Sequence, residues 1–532
     1  MRQTKMGKNL MTATSGQSRL FIKKSVDQIQ RESTNHGLKR TLGKWNLVML
    51  GIGCIIGAGI YVMTGNAAAN FAGPGVMLSF IIAGLACAFA GLCYAELAST
   101  MPVAGSAYTY SYATMGEVIA WVMGWLLVLE YGVAAATVAV GWSGYVVSLA
   151  NTLGISISPD LAASTIQFVT DSATGVGAFQ VTSDFNLVAA IGILLVTALL
   201  VIGVSESANV NNVIVFIKVG VLVAFIIAGV SYVNADNWVP FIPENEGGFK
   251  YGFEGVFRAA SVIFFAYVGF EAVSTAAAEA RDPQKDMPFG ILGSLFICTA
   301  IYIIVAAVLT GIVPFRELGV PEPIAIAVDR MGMPWFSLAI KIGAVAGLSS
   351  VMLILTYGQS RIFYAMARDG LLPRAFATVH QTFRTPWIGT IVLGGLIAVA
   401  ASLLPITILG DLVSLGTAFA FGIVCISVLW LRKTRPDLHR PFVAPGGIWV
   451  PIAGIVGAGI MAAPLIIDII VKATEGDPIP AFILSGYLIL GAAIYIFYGL
   501  ANSRLAKGLD ILEDTTLPGA MQAAAHGLDE KK

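Results

Sequence analysis

The sequence predicts an all-α polytopic membrane protein with twelve transmembrane helices, and three observations carry that prediction. Of 532 residues, 57% are hydrophobic and 12% charged, whereas a soluble protein is roughly one-quarter charged. So few charges cannot cover a water-exposed surface of this size, so the principal surrounding is the lipid bilayer. Twelve apolar stretches reach the roughly 20 residues that a hydrocarbon core demands of a helix. Basic residues, finally, crowd one set of the segments between those stretches. Lys plus Arg (31) balance Asp plus Glu (31), which leaves no electrostatic reason to expect a nucleic-acid partner.

Residues 1–44 are polar and basic, with Leu20-Phe21-Ile22 their longest apolar run, and read as a cytoplasmic tail without a cleavable signal peptide. Stretches 45–71, 75–99, 117–150, 186–204 and 208–233 make up a first five-helix unit, 45–233. Stretches 254–278, 288–313, 335–365, 386–404 and 408–431 make up a second, 254–431. Two further helices, 448–471 and 479–501, fill 448–501, and 502–532 is a second cytoplasmic tail. The third and eighth stretches are long enough to tilt or protrude. With both termini inside, 24 of the 31 Lys and Arg face the cytoplasm; Lys250, Arg258, Arg316, Arg330 and Lys472 lie outside, and Lys218 and Lys341 within spans. Two connecting pieces look ordered: Pro102–Ala113 inside, and a short helix over Pro323–Gly332 outside. Cys54, Cys87, Cys93, Cys298 and Cys425 all lie in apolar runs, so they read as small buried side chains rather than disulfides or a metal site. No metal and no cofactor are expected.

Glycine interrupts the first stretch at Gly51-Ile-Gly-Cys-Ile-Ile-Gly57-Ala-Gly59-Ile60 and the sixth at Phe264-Phe-Ala-Tyr-Val-Gly269-Phe-Glu271. Taken singly, each favours close helix packing, as Gly53 and Gly57 allow. Taken together they occupy equivalent places in two five-helix halves, if the halves are inverted repeats, and paired broken helices mark a transporter's binding site. A half-helix starting near Gly57–Ile60 would aim free N–H groups at a carboxylate. Carbonyls freed at both breaks would accept hydrogen bonds from an ammonium. Such a site reads an α-amino acid with backbone alone.

Most ionisable residues of the stretches, Glu96, Glu117, Lys341, Asp411 and Asp468 among them, sit near an end and read as interfacial. Glu130 and Lys218 fall near mid-membrane, where an ion costs a few kcal/mol and is a functional candidate by default. Lys218 could gain and lose a proton during a transport cycle, or it could form a permanent ion pair with Glu130 that braces the bundle. Glu271, just past the second break, could gate or brace the inner half.

Several segments together resemble the amino acid–polyamine–organocation permeases, in the bacterial form of the cationic amino acid transporter branch. They are Ile56–Ile60, Tyr94–Tyr108, Phe264–Glu271, Ala278–Pro283 through Pro288, and Arg361 through Met366–Pro373. The likeness covers roughly 45–373; the last four stretches match in pattern only. It implies a five-plus-five inverted-repeat fold with alternating access. By position it implies that the amides of Ala58 and Gly59 hold a substrate carboxylate beside Gly57. The carbonyls of Ile55, Phe265, Ala266 and Val268 hold the ammonium, and Phe265 is an aromatic gate. Ala58 stands where relatives often carry Ser or Thr, so carboxylate binding would rest on backbone. Lys218 matches the lysine of proton-coupled members, and Ser349 and Ser350 match hydroxyls that ligate sodium in sodium-coupled ones; a Lys218 contact with Ser349 is expected. Animal members carry two further spans, so a chain of twelve fits the bacterial form.

The expected function is proton-coupled symport of cationic or small neutral L-amino acids across a bacterial cytoplasmic membrane, multi-pass with N-in, C-in topology. An amino acid or amine exchanger and a non-transporting sensor on the same fold stay open, as does a small accessory membrane subunit. An intramembrane enzyme is not expected. There is no HExxH and no GxGD, and His36, His380, His439 and His526 all lie outside the spans.

Overall fold

The computed structural model describes residues 19–24, 42–101, 106–170, 177–203 and 208–508. Most of both predicted tails, and Pro102–Gly105 of the inner connecting piece, lie outside the described residues. Nine helices among the described residues are long and apolar enough to cross a membrane: Gly59–Thr100, Glu117–Thr152, Val213–Tyr232, Gly252–Ser274, Pro283–Ile312, Pro334–Arg368, Ile406–Thr434, Trp449–Thr474 and Ile479–Asn502. Three shorter apolar helices, Lys44–Ile55, Leu187–Ile202 and Trp387–Leu403, stand on the remaining predicted stretches. The protein is thus a helical, multi-pass membrane protein.

Burial orders these helices. The window of Gly252–Ser274 is 89% buried while that of Ile479–Asn502 is 17% buried, so the sixth stretch is central and the last peripheral. Pro283–Ile312 packs along Val76–Thr100 and Lys44–Ile55, and Pro334–Arg368 packs along Ala134–Thr152 and Ala208–Gly229. Small residues allow these approaches: a Cβ on Gly51 would stand 2.4 Å from Ser294 Oγ, and one on Gly343 2.3 Å from a Val221 methyl. The predicted outer piece forms the helix Pro323–Arg330, and the inner one the helix Ser106–Thr114.

One feature departs from an all-α chain. Within the loop 151–185, Ile166–Thr170 and Gly177–Val181 pair as an antiparallel hairpin, Ile166 opposite Val181. Phe168 and Phe179 meet across it with ring centroids 5.3 Å apart, and the Phe179 N–H donates to Asp477 Oδ2 at 3.2 Å. Cross-strand aromatic pairing of this kind stabilises a short ribbon that backbone propensity alone would not hold.

The charged residues at stretch ends are tied to partners rather than left to water. Glu96 receives Arg432 through both guanidinium arms, with Nε at 2.8 Å, and the Lys341 amine sits 2.9 Å from Asp329. Arg258, which orientation counting places outside, is 1% exposed. It donates to both oxygens of Asp411, at 3.1 and 2.7 Å, and to Asp468 at 2.9 Å, joining the first half of the sixth stretch to two later helices. Deleting one member of a buried ionic cluster leaves the others uncompensated. Arg258→Ala is therefore expected to cost about 3 kcal/mol, read as a lower unfolding midpoint of the detergent-solubilised protein; an unchanged midpoint would show that the cluster adds nothing.

Candidate substrate site

The first break is a helix end followed at once by a new helix start. Lys44–Ile55 stops where Ile56 turns extended (φ −71°, ψ 100°), its N–H still bonded to the Ile52 carbonyl at 2.9 Å. The next helical bonds run from the N–H groups of Ile60 and Tyr61 to the Gly57 carbonyl, at 3.3 and 3.2 Å. Ala58 and Gly59 thus occupy the first turn, whose amides have no intrahelical acceptor. The N-cap residue, Ala58, supplies no side-chain cap. Gly59 has no room for anything larger: its Cβ would lie 2.3 Å from Ala266 Cα.

The sixth stretch breaks opposite the first. Gly252–Ile263 tightens into the 3₁₀ turn Phe264–Tyr267, Val268 turns out of the helix (φ −55°, ψ 130°), and Gly269 takes φ +122° before a second helical segment, Glu271–Glu279. That φ belongs to glycine. A Cβ on Gly269 would also stand 2.7 Å from the Cys54 carbonyl carbon. Each break is therefore seated on the other, Gly59 on Ala266 and Gly269 on Cys54. Glu271 braces the second: its Oε2 accepts the Gly269 N–H at 2.8 Å and its Oε1 the Tyr131 hydroxyl at 3.2 Å.

Between the breaks lies a narrow cleft lined by Cys54, Ile55, Gly57, Ala58, Gly59, Val138, Phe265, Val268, Val351 and Leu355. Its cavity volume of about 10 Å³ leaves room for about one water molecule. Of the residues that sequence reasoning assigned to a substrate, Ile55, Gly57, Ala58, Gly59, Phe265 and Val268 line it, and Ala266 packs on Gly59. Two of the four carbonyls assigned to an ammonium already carry a donor. The Ile55 carbonyl accepts the Tyr302 hydroxyl at 2.7 Å and the Phe265 carbonyl accepts the Val268 N–H at 3.0 Å, leaving each its second lone pair.

Sequence reasoning did not fix the side-chain walls, which are Val138 from the third stretch and Val351 and Leu355 from the eighth. The spacing of the last two, with Gly347 one turn earlier, is a signal in hindsight: residues four apart share a helix face.

Lys218 is fully buried and its Nζ donates to the Gly53 carbonyl at 2.9 Å, two residues before Ile55. Its stem packs where a Gly347 Cβ would be, at 3.0 Å. Ser349 lies on another face of its helix, where its hydroxyl donates to the Val345 carbonyl at 2.8 Å and accepts the Trp142 indole N–H at 2.9 Å. Ser350, three residues after Gly347, shares the Lys218 side; it is buried, and its hydroxyl has no hydrogen-bond partner among the described residues. Glu130 sits in a π-helical turn, Val128–Val133, a distortion frequent at functional sites. Both its carboxyl oxygens are buried without a hydrogen-bond partner among the described residues. Glu130 thus takes no hydrogen bond from Lys218. Glu130 also stands eight residues before Val138, about 12 Å along a helix, and is not part of the cleft wall.

Comparison with known proteins bears on this geometry. The family model described as amino acid permease matches residues 42–492. The methylthioribose transporter of Bacillus subtilis (strain 168) is 41% identical over 490 residues, covering 92% of this chain and 100% of that one. The branched-chain amino acid permease BcaP of the same organism is 42% identical over 489 residues, covering 91% and 99%. The vacuolar cationic amino acid transporter 2 of Arabidopsis thaliana is 37% identical over 422 residues, 79% of this chain and 64% of its own. These relatives are named for three different kinds of solute, so likeness by itself leaves the solute unassigned. Their shared character is transport rather than enzymatic chemistry, and the chain belongs to the amino acid permease family.

Proposed function

We propose that the protein is a proton-coupled symporter of neutral, aliphatic L-amino acids. It would work by alternating access on twelve spans arranged as two inverted five-helix repeats plus two helices, with both termini in the cytoplasm of a bacterial cell. One observation carries the substrate class. The first-turn amides of Ala58 and Gly59 open on a cleft walled by Val138, Phe265, Val351 and Leu355. Backbone there suits the amino-acid head group, and the walls suit a hydrocarbon side chain. No carboxylate is among the lining residues, which weighs against a cationic side chain. The branched-chain amino acid permease among its relatives agrees with this reading. Lys218 supports proton coupling, because its amine is bonded to the first broken helix next to the cleft. Change in that amine's charge would be felt by the half-helix that carries Ile55.

Purified protein in proteoliposomes tests the whole reading. One pH unit is worth 1.36 kcal/mol per proton, about tenfold in concentration. Leucine, isoleucine or valine should accumulate up to about tenfold per inwardly directed pH unit at zero potential. Uptake that ignores the gradient and requires internal amino acid would identify an exchanger instead. In a thermal-shift screen a ligand at a hundred times its Kd adds about 2.7 kcal/mol. Stabilisation by arginine and lysine alone, or by methylthioribose alone, would overturn the substrate class.

A further inference from the structure

The helix Pro334–Arg368 carries an exposed stripe along its whole length. Trp335, Ile342, Tyr357, Arg361, Tyr364 and Arg368 lie near-whole numbers of turns apart and so share one face. Trp335 is 71% exposed and Ile342 51%; Tyr357 and Arg361 are exposed too, and Tyr364 and Arg368 half-buried. On a helix that crosses a bilayer, such a stripe is the surface that lipid touches. Its C-terminal end alternates two tyrosines with two arginines. The Arg361 guanidinium stands 4.9 Å from the centre of the Tyr357 ring, and that of Arg368 5.8 Å from the centre of the Tyr364 ring. A ring beneath a guanidinium holds the planar fork and leaves its N–H edges free to donate. Neither guanidinium makes a hydrogen bond or an ion pair among the described residues. Other cations at span ends are neutralised: Arg258 by Asp411 and Asp468, Arg432 by Glu96, Lys341 by Asp329. The carboxylate that follows Arg368 in sequence, Asp369, is taken by Lys24 and Tyr108. More positive charge stands close by. Burial, then the like charges of Arg374 and Arg368, hold the Arg504 guanidinium below its ordinary range, with Asp369 opposing.

We infer that this stripe is a binding site for anionic phospholipid: the forks of Arg361 and Arg368 hold headgroup phosphate, and the acyl chains run past Tyr357 toward Ile342. A guanidinium fork takes a phosphate through two parallel N–H bonds. Seven residues set the two forks about 10 Å apart along the axis, so one lipid with two phosphates, or two neighbouring headgroups, satisfies both. The net charge of the lipid decides the preference. In a zwitterionic headgroup an ammonium already offsets the phosphate, whereas an anionic one leaves its charge for the arginines. A soluble phosphate meets the same forks but gains nothing from the apolar part of the stripe. The site depends on this helix crossing the membrane and not on which solute the cleft carries.

Full-length protein in non-ionic detergent tests it, titrated with phosphatidylglycerol, phosphatidylcholine or inorganic phosphate. Bound lipid is counted by native mass spectrometry and the unfolding midpoint is followed in parallel. Each cation at an anionic lipid surface is worth about fivefold in affinity. Phosphatidylglycerol should therefore bind about twenty-fivefold more tightly than phosphatidylcholine. Arg361→Gln and Arg368→Gln should each weaken its binding about fivefold, and the double variant should lose the preference altogether. Binding of phosphatidylcholine, unchanged in every variant, shows that each is folded, and the single variants read the site on their own. Arg435→Gln is the control, since that cation already has a carboxylate partner, Asp437, at 3.4 Å; its affinity should match wild type. Equal binding of the two lipids by wild type would overturn the site, as would a double variant that keeps the preference. An equal loss in Arg435→Gln would reduce it to general surface charge. A rise in midpoint with inorganic phosphate as large as that with phosphatidylglycerol would assign the forks to a soluble anion and overturn the lipid.

Discussion

Gly59→Val is expected to abolish transport while leaving a folded protein. The Cβ of any residue at 59 would lie 2.3 Å from both Cα and Cβ of Ala266, where ordinary contact begins at 3.4 Å. The far side of that contact is backbone rather than a flexible side-chain end, so relief requires the two broken helices to part by about 1 Å. Overpacking of this kind typically costs 1–3 kcal/mol, which a bundle of this size survives. The site does not survive it, because the displaced atoms are the ones that flank the amides of Ala58 and Gly59. A misplacement of about 1 Å in a preorganised site is worth roughly a hundredfold, so uptake should fall at least that far, with loss of ligand-induced thermal stabilisation. Gly269→Val should behave alike, through its φ of +122° and the Cys54 backbone 2.7 Å from its Cβ. Gly459→Ala is the matching control, because beyond its own helix backbone no atom of the described residues lies within 4 Å of that Cβ. Wild-type uptake by Gly59→Val would remove the paired breaks from the mechanism.

What could be read from the sequence is what depends on composition and local backbone chemistry. Apolar length located the helices, and the paired glycines located the two breaks, since glycine is needed where φ is positive or where backbones touch. The direction in which a helix points its side chains is different. It is fixed by neighbours far away in the chain, and there sequence reasoning fell short. Ser349 matched a hydroxyl of a known motif, yet its helix is rotated so that Ser349 meets Trp142 while Gly347 and Val351 face Lys218 and Gly57. The same rotation brings Val351 and Leu355 into the cleft wall. Glu130 and Lys218 share a depth, which 1.5 Å per residue reveals, but depth is not contact, and it did not foretell that the lysine amine reaches the Gly53 carbonyl. The hairpin at 166–181 escaped notice because a short ribbon in a loop owes its stability to cross-strand pairs such as Phe168 with Phe179.

Lys218→Ala is expected to reduce proton-driven accumulation from about tenfold per pH unit to no accumulation at all. The wild-type amine reaches from its own helix to the Gly53 carbonyl, to which it donates at 2.9 Å. Alanine removes that donor and the titrating group together, so the movement of the first half-helix would no longer depend on a proton. Tyr61 keeps its bond to the backbone carbonyl of residue 218, at 3.2 Å, whatever the side chain, so the helix should stay in place and the loss should be functional rather than structural. Lys218→Arg separates charge from titration. Arginine restores a cation and a donor but does not lose its proton. If Lys218 is the coupling group, the arginine variant should exchange external for internal amino acid yet fail to concentrate it under a proton gradient. If Lys218 is a fixed brace, arginine should rescue accumulation. Accumulation retained by Lys218→Ala would take the lysine out of the coupling altogether and turn attention to Glu130, the other ionisable side chain that sequence reasoning set at this depth and one whose carboxyl oxygens have no hydrogen-bond partner among the described residues.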